Sequence, residues 1–76
     1  MADLLAWIAR QLVDDPASVV VETVDHGDTV VLRLHVAPDD VGKVIGRQGR
    51  LARALRTLVR AAGARGERRI VLEIVG

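Results

Sequence analysis

The amino-acid sequence predicts an α+β fold, a two-layer sandwich in which helices pack on one face of a three-stranded mixed sheet. Three observations predict it. Apolar residues recur at helical spacing near the start of the chain and again in residues 50–62. Two runs rich in β-branched residues flank a turn signal at residues 25–28, and a last run, residues 69–75, has strand alternation. The predicted order is therefore α-β-β-α-α-β.

The first helix follows Asp3, whose side chain can cap a helix N-terminus. Four apolar residues then share one helical face: Leu4, Leu5, Ile8 and Leu12. Trp7 lies near the edge of this stripe, and we expect it to be partly in the core or in an interface. The helix must end before Pro16, because the residue that precedes a proline is pushed out of helical geometry.

The next two runs predict an antiparallel hairpin, with strands over residues 18–24 and 29–37. In the second strand, alternate residues share the face that we expect to be buried: Val30, Leu32, Leu34 and Val36. Pro38 ends this strand. Asp39 or Asp40 can then cap a short helix that continues to about Ile45.

The second long helix, residues 50–62, shows the clearest periodicity of the chain. Its predicted core stripe is Leu51, Leu55, Leu58 and Ala62, and its opposite side carries Arg50, Arg53, Arg56 and Arg60. For Arg56 and Arg60, an ordinary solvated helix face is as good an explanation as a functional role. Gly63 supplies a stop, and Gly66 keeps the connection to the last strand mobile.

Composition limits the class of protein. The 76 residues suffice for one domain, residues 1–76. With no cysteine there is neither a disulfide nor a thiolate metal site, and with Trp7 as the only aromatic residue there is no platform on which bases could stack. No apolar run approaches the roughly 20 residues that span a bilayer. The start of the chain lacks the features of a signal peptide, so we expect a cytoplasmic protein.

The net charge of +1 conceals a strong asymmetry. Residues 1–40 carry two basic and eight acidic side chains, a net −6, whereas residues 41–76 carry nine basic and two acidic side chains, a net +7. This division favours one face that binds an anion. Chance segregation, or pairing of the acidic half with the basic half, would be the ordinary explanation.

The most informative segment is GKVIGRQGR, residues 42–50. Gly46 and Gly49 bracket a tight turn between two helices, where the missing Cβ atoms let a ligand approach the backbone. The turn leads into a helix N-terminus, which favours an anion, and Lys43, Arg47 and Arg50 surround it with positive charge. A phosphodiester fits this charge and size. The spacing matches neither a P-loop nor a dinucleotide-binding fingerprint.

No set of residues predicts catalysis or a metal site. Ser18 is the only serine and has no nearby base. Neither His26 nor His35 belongs to a set with metal-ligand spacing, and the adjacent Asp39 and Asp40 suit capping better than acid–base work. We therefore expect no enzyme, no metal and no cofactor.

The segment VIGRQG, residues 44–49, resembles the GXXG signature of KH domains, which hold four nucleotides by their backbone. The predicted element order resembles the type II arrangement of that fold. The likeness extends to LVDDP at residues 12–16, to VAPDDVGKVIGRQGR at residues 36–50 and to VLEI at residues 71–74. Over essentially the whole chain, the sequence is similar to the small bacterial stand-alone KH proteins of the KhpA family.

This resemblance implies a non-catalytic protein that holds single-stranded RNA in the GXXG loop and an adjoining aliphatic groove, as an RNA chaperone or post-transcriptional regulator. The implied RNA-binding residues are Lys43, Ile45, Gly46, Arg47, Gln48, Gly49, Arg50 and Arg53. Val44 is an alternative to Ile45 as a groove residue. The resemblance also implies a homodimer or a complex with a second, larger KH-containing protein. The alternative is a KH-fold protein-interaction adapter with little RNA binding of its own.

Overall fold

The computed structural model describes residues 1–63 and 68–76, and Gly66 lies outside this range. Three helices and three strands follow the predicted order, so the α+β prediction is confirmed. They are α1 (Ala2–Leu12), β1 (Val20–Asp25), β2 (Thr29–His35), α2 (Val41–Ile45), α3 (Arg50–Gly63) and β3 (Arg69–Val75). Short 3-10 turns occupy Pro16–Ser18, Pro38–Asp40 and Arg47–Gly49.

The three strands form one mixed sheet in the order β1-β2-β3. β1 pairs with β2 antiparallel, with Val21 opposite Leu34, as the short turn between them predicts. β3 pairs with β2 in parallel, with Leu72 opposite Leu32. A parallel neighbour requires a crossover connection. Here α2, the loop and α3 make that crossover.

The core lies between the sheet and the helices. Leu5 of α1, Leu34 of β2, Val44 of α2 and Val59 of α3 are its largest fully buried side chains. Burying an aliphatic side chain of this size contributes about 1.5–3 kcal/mol to the free energy of folding. Because α2 has only five residues and cannot be stable alone, its position depends on Val44 and on the tertiary contacts around it.

The boundaries of α1 and the hairpin differ from the prediction by a few residues. α1 begins at Ala2 with Met1 at the N-cap, and Asp3 lies in the first turn without a capping hydrogen bond. The Leu5 N–H bonds to the Met1 carbonyl at 2.9 Å and extends the helix to the first residue. β1 begins at Val20, after the 3-10 turn, rather than at residue 18. β2 ends at His35, two residues earlier than predicted.

The predicted core stripe of α3 was partly wrong. Of its four members only Leu55 is buried, whereas Leu58 is 37% exposed and Ala62 is exposed. The side of α3 that meets the sheet instead carries Ala52, Leu55 and Val59. This side is buried although it carries only one of the three leucines of α3. The four arginines predicted on the opposite side are all exposed.

Trp7 was expected to lie partly in the core or in an interface, and its side chain points away from the sheet. It is 59% exposed, and Leu4 beside it is 46% exposed. The buried face of α1 consists of Leu5, Ala6 and Ala9, which places the tryptophan on the outer side of the helix. An interface role for Trp7 remains a prediction.

Candidate functional site

The connection between α2 and α3 is a tight loop in which three residues have a positive φ. These are Gly46 at 76°, Gln48 at 58° and Gly49 at 72°. Two backbone hydrogen bonds hold it: the Gly46 N–H bonds to the Gly42 carbonyl at 2.9 Å, and the Gly49 N–H bonds to the Gly46 carbonyl at 3.2 Å. This backbone lies in the left-handed region, which glycine adopts at little cost and Gln48 adopts with strain.

The two glycines are surrounded differently. A Cβ on Gly46 would lie 2.7 Å from the Leu51 Cβ and 3.1 Å from the Leu51 nitrogen, whereas a Cβ on Gly49 would meet nothing within 4 Å. Gly46 therefore allows the start of α3 to pack against the end of α2. Gly49 leaves an open approach to the backbone at the outside of the loop.

The side chains around the loop give it a positive surface. Arg47, Gln48, Arg50 and Arg53 are all exposed. Arg50 donates a hydrogen bond to the Gln48 side-chain oxygen at 3.2 Å, which restrains both residues. No carboxylate in residues 1–63 or 68–76 pairs with Arg47, Arg50 or Arg53. The first N–H groups of a helix have no partner within it and favour an anion. Together these groups can bind a phosphate.

Lys43 has a different environment from the arginines. Its ammonium group pairs with the Asp14 carboxylate and lies 3.7 Å from the nearer oxygen of Asp40. The hydrogen bond to Asp14 raises the pKa of Lys43, and the charge of Asp40 adds to this effect. Its charge is therefore largely compensated, and a contact from Lys43 to an anionic ligand stays a prediction.

Asp40 is a residue whose role the sequence did not reveal. Its side chain is only 3% exposed and makes no capping hydrogen bond to α2. It instead accepts hydrogen bonds from the backbone N–H groups of Asp14, at 3.3 Å, and Asp15, at 3.0 Å. These bonds fix the end of α1 to the start of α2, the helix that leads into the loop. The partners are 25 and 26 residues away, so no local pattern identifies them.

The two predicted groove residues have opposite environments. Val44 is fully buried and packs in the core, so it cannot line a groove. Ile45, the last residue of α2, is 36% exposed directly before Gly46. Ile45 can therefore offer an apolar contact to a ligand that lies on the loop.

A cleft of about 650 Å³ lies between α3 and β3, at the far end of α3 from the loop. Its lining combines four arginines with aliphatic residues and a glycine: Arg56, Arg60, Arg68, Arg69, Ile70, Val71, Leu72 and Gly63. The resemblance implies an aliphatic groove that adjoins the loop, and that groove stays a prediction. The cleft is a separate feature, because it joins α3 to β3 and much of its lining is arginine.

The described residues offer no other site chemistry. Within residues 1–63 and 68–76, no group of His, Cys, Asp or Glu is arranged to hold a metal ion. None of the helices in these two ranges is long and apolar enough to cross a membrane.

Comparison with known proteins identifies close relatives along the whole chain. The family model described as KhpA/KhpB, KH domain, matches residues 2–74. "RNA-binding protein KhpA" of Clostridium acetobutylicum is 48% identical over 75 residues, which cover 99% of this chain and 100% of that protein.

Two further relatives bear the same name. The one from Caldanaerobacter subterraneus subsp. tengcongensis is 45% identical over 75 residues, covering 99% of this chain and 100% of that protein. The one from Treponema pallidum is 49% identical over 73 residues, covering 96% of this chain and 91% of that protein. No solved structure matches the chain. The name that these relatives share describes a binding protein and not an enzyme, in agreement with the prediction of no catalysis.

Proposed function

Because this chain belongs to the KhpA/KhpB family of KH domains, we propose that it is a non-catalytic protein that binds single-stranded RNA through its Gly46–Gly49 loop. One observation carries the proposal. The loop has the backbone geometry for close approach, and neither Arg47 in the loop nor Arg50 after it pairs with a carboxylate in the described part of the chain. We regard residues 1–76 as one KH domain.

The sugar–phosphate backbone lies on Gly46, Arg47, Gln48 and Gly49 in this proposal. Arg50 and Arg53, on the first turn of α3, bind the adjoining phosphates with their guanidinium groups. Ile45 contacts a sugar or base with its exposed side chain. Lys43 contributes less than the arginines, because Asp14 and Asp40 already compensate its charge.

This mode of binding favours contacts with the RNA backbone over recognition of the base sequence. The chain has a single aromatic residue, Trp7, and it lies on the outer side of α1. Base stacking on aromatic rings, which contributes about 1–3 kcal/mol per base in other single-strand binders, is therefore missing from the loop. We propose that the protein acts in the cytoplasm as an RNA chaperone or post-transcriptional regulator with modest affinity per domain.

We further propose that the protein forms a homodimer or pairs with a larger KH-containing protein. Exposed apolar side chains support an interface: Leu4 and Trp7 on α1, and Val20 and Val71 on the sheet. A second domain would raise the affinity for RNA because the second contact becomes intramolecular. Sedimentation velocity of the purified chain tests the homodimer, and a single monomeric species at 100-fold different concentrations would contradict it.

Titration of a short unstructured RNA tests the loop. In the double variant Arg47→Asp, Gln48→Asp we expect the affinity to fall by roughly 10- to 100-fold, because charge-assisted contacts are lost and negative charges face the phosphates. The matched control is Arg10→Asp, Gln11→Asp, which makes the same changes on exposed positions of α1 in the acidic half. The control should bind within about twofold of the wild type.

Equal loss in both double variants would contradict the loop hypothesis, provided that circular dichroism shows both to be folded. No binding of RNA by the wild type would favour the adapter alternative, in which the exposed Trp7 and Leu4 serve a protein partner. Single-stranded DNA of the same sequence should be titrated in parallel, because none of the proposed loop contacts involves the 2′-hydroxyl.

A further inference from the structure

The cleft between α3 and β3 concentrates positive charge that the described residues do not compensate. Of its four arginines, only Arg68 pairs with a carboxylate in residues 1–63 and 68–76, that of Asp25. Arg56, Arg60 and Arg69 form no such pair within those ranges. Three like charges around one concavity repel one another, and an anion in the cleft would relieve this repulsion.

The arginines come from two elements that are distant in sequence. Arg56 and Arg60 are one turn apart on α3, and Arg69 begins β3. A solvated helix face would expose Arg56 and Arg60 to water alone, but here both border a cleft with a strand on its other side. Guanidinium groups bind phosphate in a bidentate manner. Ile70 and Leu72 add apolar surface between the charges, which suits the sugar and base of a nucleotide.

A row of arginines on α3 leads from the loop to the cleft. Arg53, Arg56 and Arg60 recur at helical spacing and follow one side of α3 away from Arg50. With a rise of about 1.5 Å per residue, Arg56 and Arg60 lie about 9 Å and 15 Å beyond Arg50 along the helix axis. An RNA chain that leaves the loop along α3 therefore meets these arginines in succession.

We propose that the α3–β3 cleft is a second phosphate-binding site, which extends the RNA footprint beyond the four nucleotides held at the loop. Arg56, Arg60 and Arg69 bind the phosphates that follow those on the loop. This inference rests on the proposed RNA binding by the loop. It adds a prediction that the loop alone does not make: affinity rises with the length of the RNA by more than the number of registers in which a longer strand can occupy the loop.

Oligouridylates of four and ten nucleotides test the extension on the full chain. In the triple variant Arg56→Gln, Arg60→Gln, Arg69→Gln, the affinity for the 10-mer should fall about tenfold, whereas that for the 4-mer stays within about twofold of the wild type. The slope of log K against log salt for the 10-mer should decrease in magnitude by about two, since three phosphate contacts of about 0.7 each are lost. Arg10→Gln, at an exposed position on α1, should change neither oligomer.

Changes in amide chemical shifts, measured by NMR, distinguish binding at the loop from binding in the α3–β3 cleft. Addition of the 4-mer should move the resonances of the loop, and only the 10-mer should also move those of Arg60, Arg69 and Ile70. Equal losses for both oligomers in the triple variant, or a wild type that binds them equally well, would overturn the second site and leave the loop intact. If neither oligomer binds the wild type, the proposed function fails and the second site with it.

Discussion

Gly46 and Gly49 share a positive φ but differ in the space around them, and substitution by alanine should separate the two effects. Gly49→Ala should lower the free energy of unfolding by about 1–2 kcal/mol, the cost of the left-handed backbone. Gly46→Ala adds the clash with Leu51 and should cost about 1–3 kcal/mol more. Urea unfolding followed by circular dichroism measures both.

Gly42→Ala is the matched control for these glycines. Gly42 is in α2, it does not have a positive φ, and a Cβ there meets nothing within 4 Å. We expect the free energy of unfolding to rise by about 0.5–1 kcal/mol, because alanine restricts the unfolded chain and is the better helix residue. If Gly46→Ala and Gly49→Ala lowered the free energy of unfolding equally, the clash with Leu51 would contribute nothing to it.

Asp40 offers a second test at the residue scale. Asp40→Ala leaves the N–H groups of Asp14 and Asp15 without their acceptor and removes one partner of Lys43. Because the site is buried, we expect a loss of about 2–3 kcal/mol in the free energy of unfolding. The adjacent, exposed Asp39 forms no hydrogen bond through its side chain in the described part of the chain, and Asp39→Ala should stay within about 0.5 kcal/mol of the wild type. A loss at Asp40 as small as at Asp39 would contradict the assignment.

At the scale of the elements, the β1–β2 turn is fastened to the start of β3. The Asp25 carboxylate accepts a hydrogen bond from the Gly27 N–H at 2.9 Å and pairs with Arg68, while the Arg69 N–H bonds to the Asp28 carbonyl at 3.0 Å. The Gly27 hydrogen bond is the main cause that lowers the pKa of Asp25, and Arg68 is the next. A carboxylate whose pKa is lowered in the folded state stabilises the fold at pH values above its unfolded pKa, which is about 3.9 for aspartate. That contribution is lost as the pH falls through the folded pKa.

The variant Arg68→Ala should therefore raise the pKa of Asp25 only part of the way to its ordinary value. The Gly27 N–H remains and keeps the pKa below that of an unfolded aspartate. Carboxyl-carbon NMR titration measures the pKa directly in both proteins. A pKa in the variant equal to that of an unfolded aspartate would mean that the turn hydrogen bond has no effect, contrary to the structure.

Local signals in the sequence were sufficient for the order of the elements and for the loop. The alternation in β2 and β3, the turn before Thr29 and the two glycines of the loop act over a few residues, so periodicity and turn chemistry identify them. The side of α3 that is buried was not predictable in the same way. Leu51 and Leu58 predicted one buried side, but the side that packs in the core carries Ala52 and Val59. The rotation of a helix about its axis is set by tertiary packing, which local periodicity does not contain.

The parts of the candidate site that sequence analysis missed depend on residues far apart in the chain. The hydrogen bonds of Asp40 reach back to the end of α1, and the arginine cleft forms only when β3 pairs with β2 and lies beside α3. Arg69 is at the start of a strand and carries no local signal of a site. The parallel pairing of β3 with β2 and the rotation of α3 about its axis bring these groups together, and no short sequence motif predicts either of them.

At the scale of the whole molecule, the two charged halves of the chain form different elements and are joined by ion pairs such as Lys43–Asp14 and Arg68–Asp25. The acidic half contributes α1, β1 and β2, whereas the basic half contributes the loop, α3 and β3. On the sheet face that the helices leave uncovered, charges are paired across the strands: Arg33 lies 2.9 Å from Glu73 and 3.9 Å from Glu22. Apart from Arg10 on α1 and Arg69 on β3, the arginines that pair with no carboxylate in the described part of the chain lie along the loop and α3. Their field should act before RNA makes contact.

This field predicts that salt affects the association rate with RNA more than the dissociation rate. In stopped-flow measurements with a fluorescent 10-mer, we expect the association rate constant to fall about tenfold as the salt concentration rises from 50 to 300 mM. The variant Arg60→Gln should reduce that dependence, because Arg60 contributes to the field along α3, whereas Arg33→Gln should not, because Arg33 is already paired. If the dissociation rate carried all of the salt dependence, the arginines would act only after binding, as local contacts of the complex and not as a field that guides the strand to the loop.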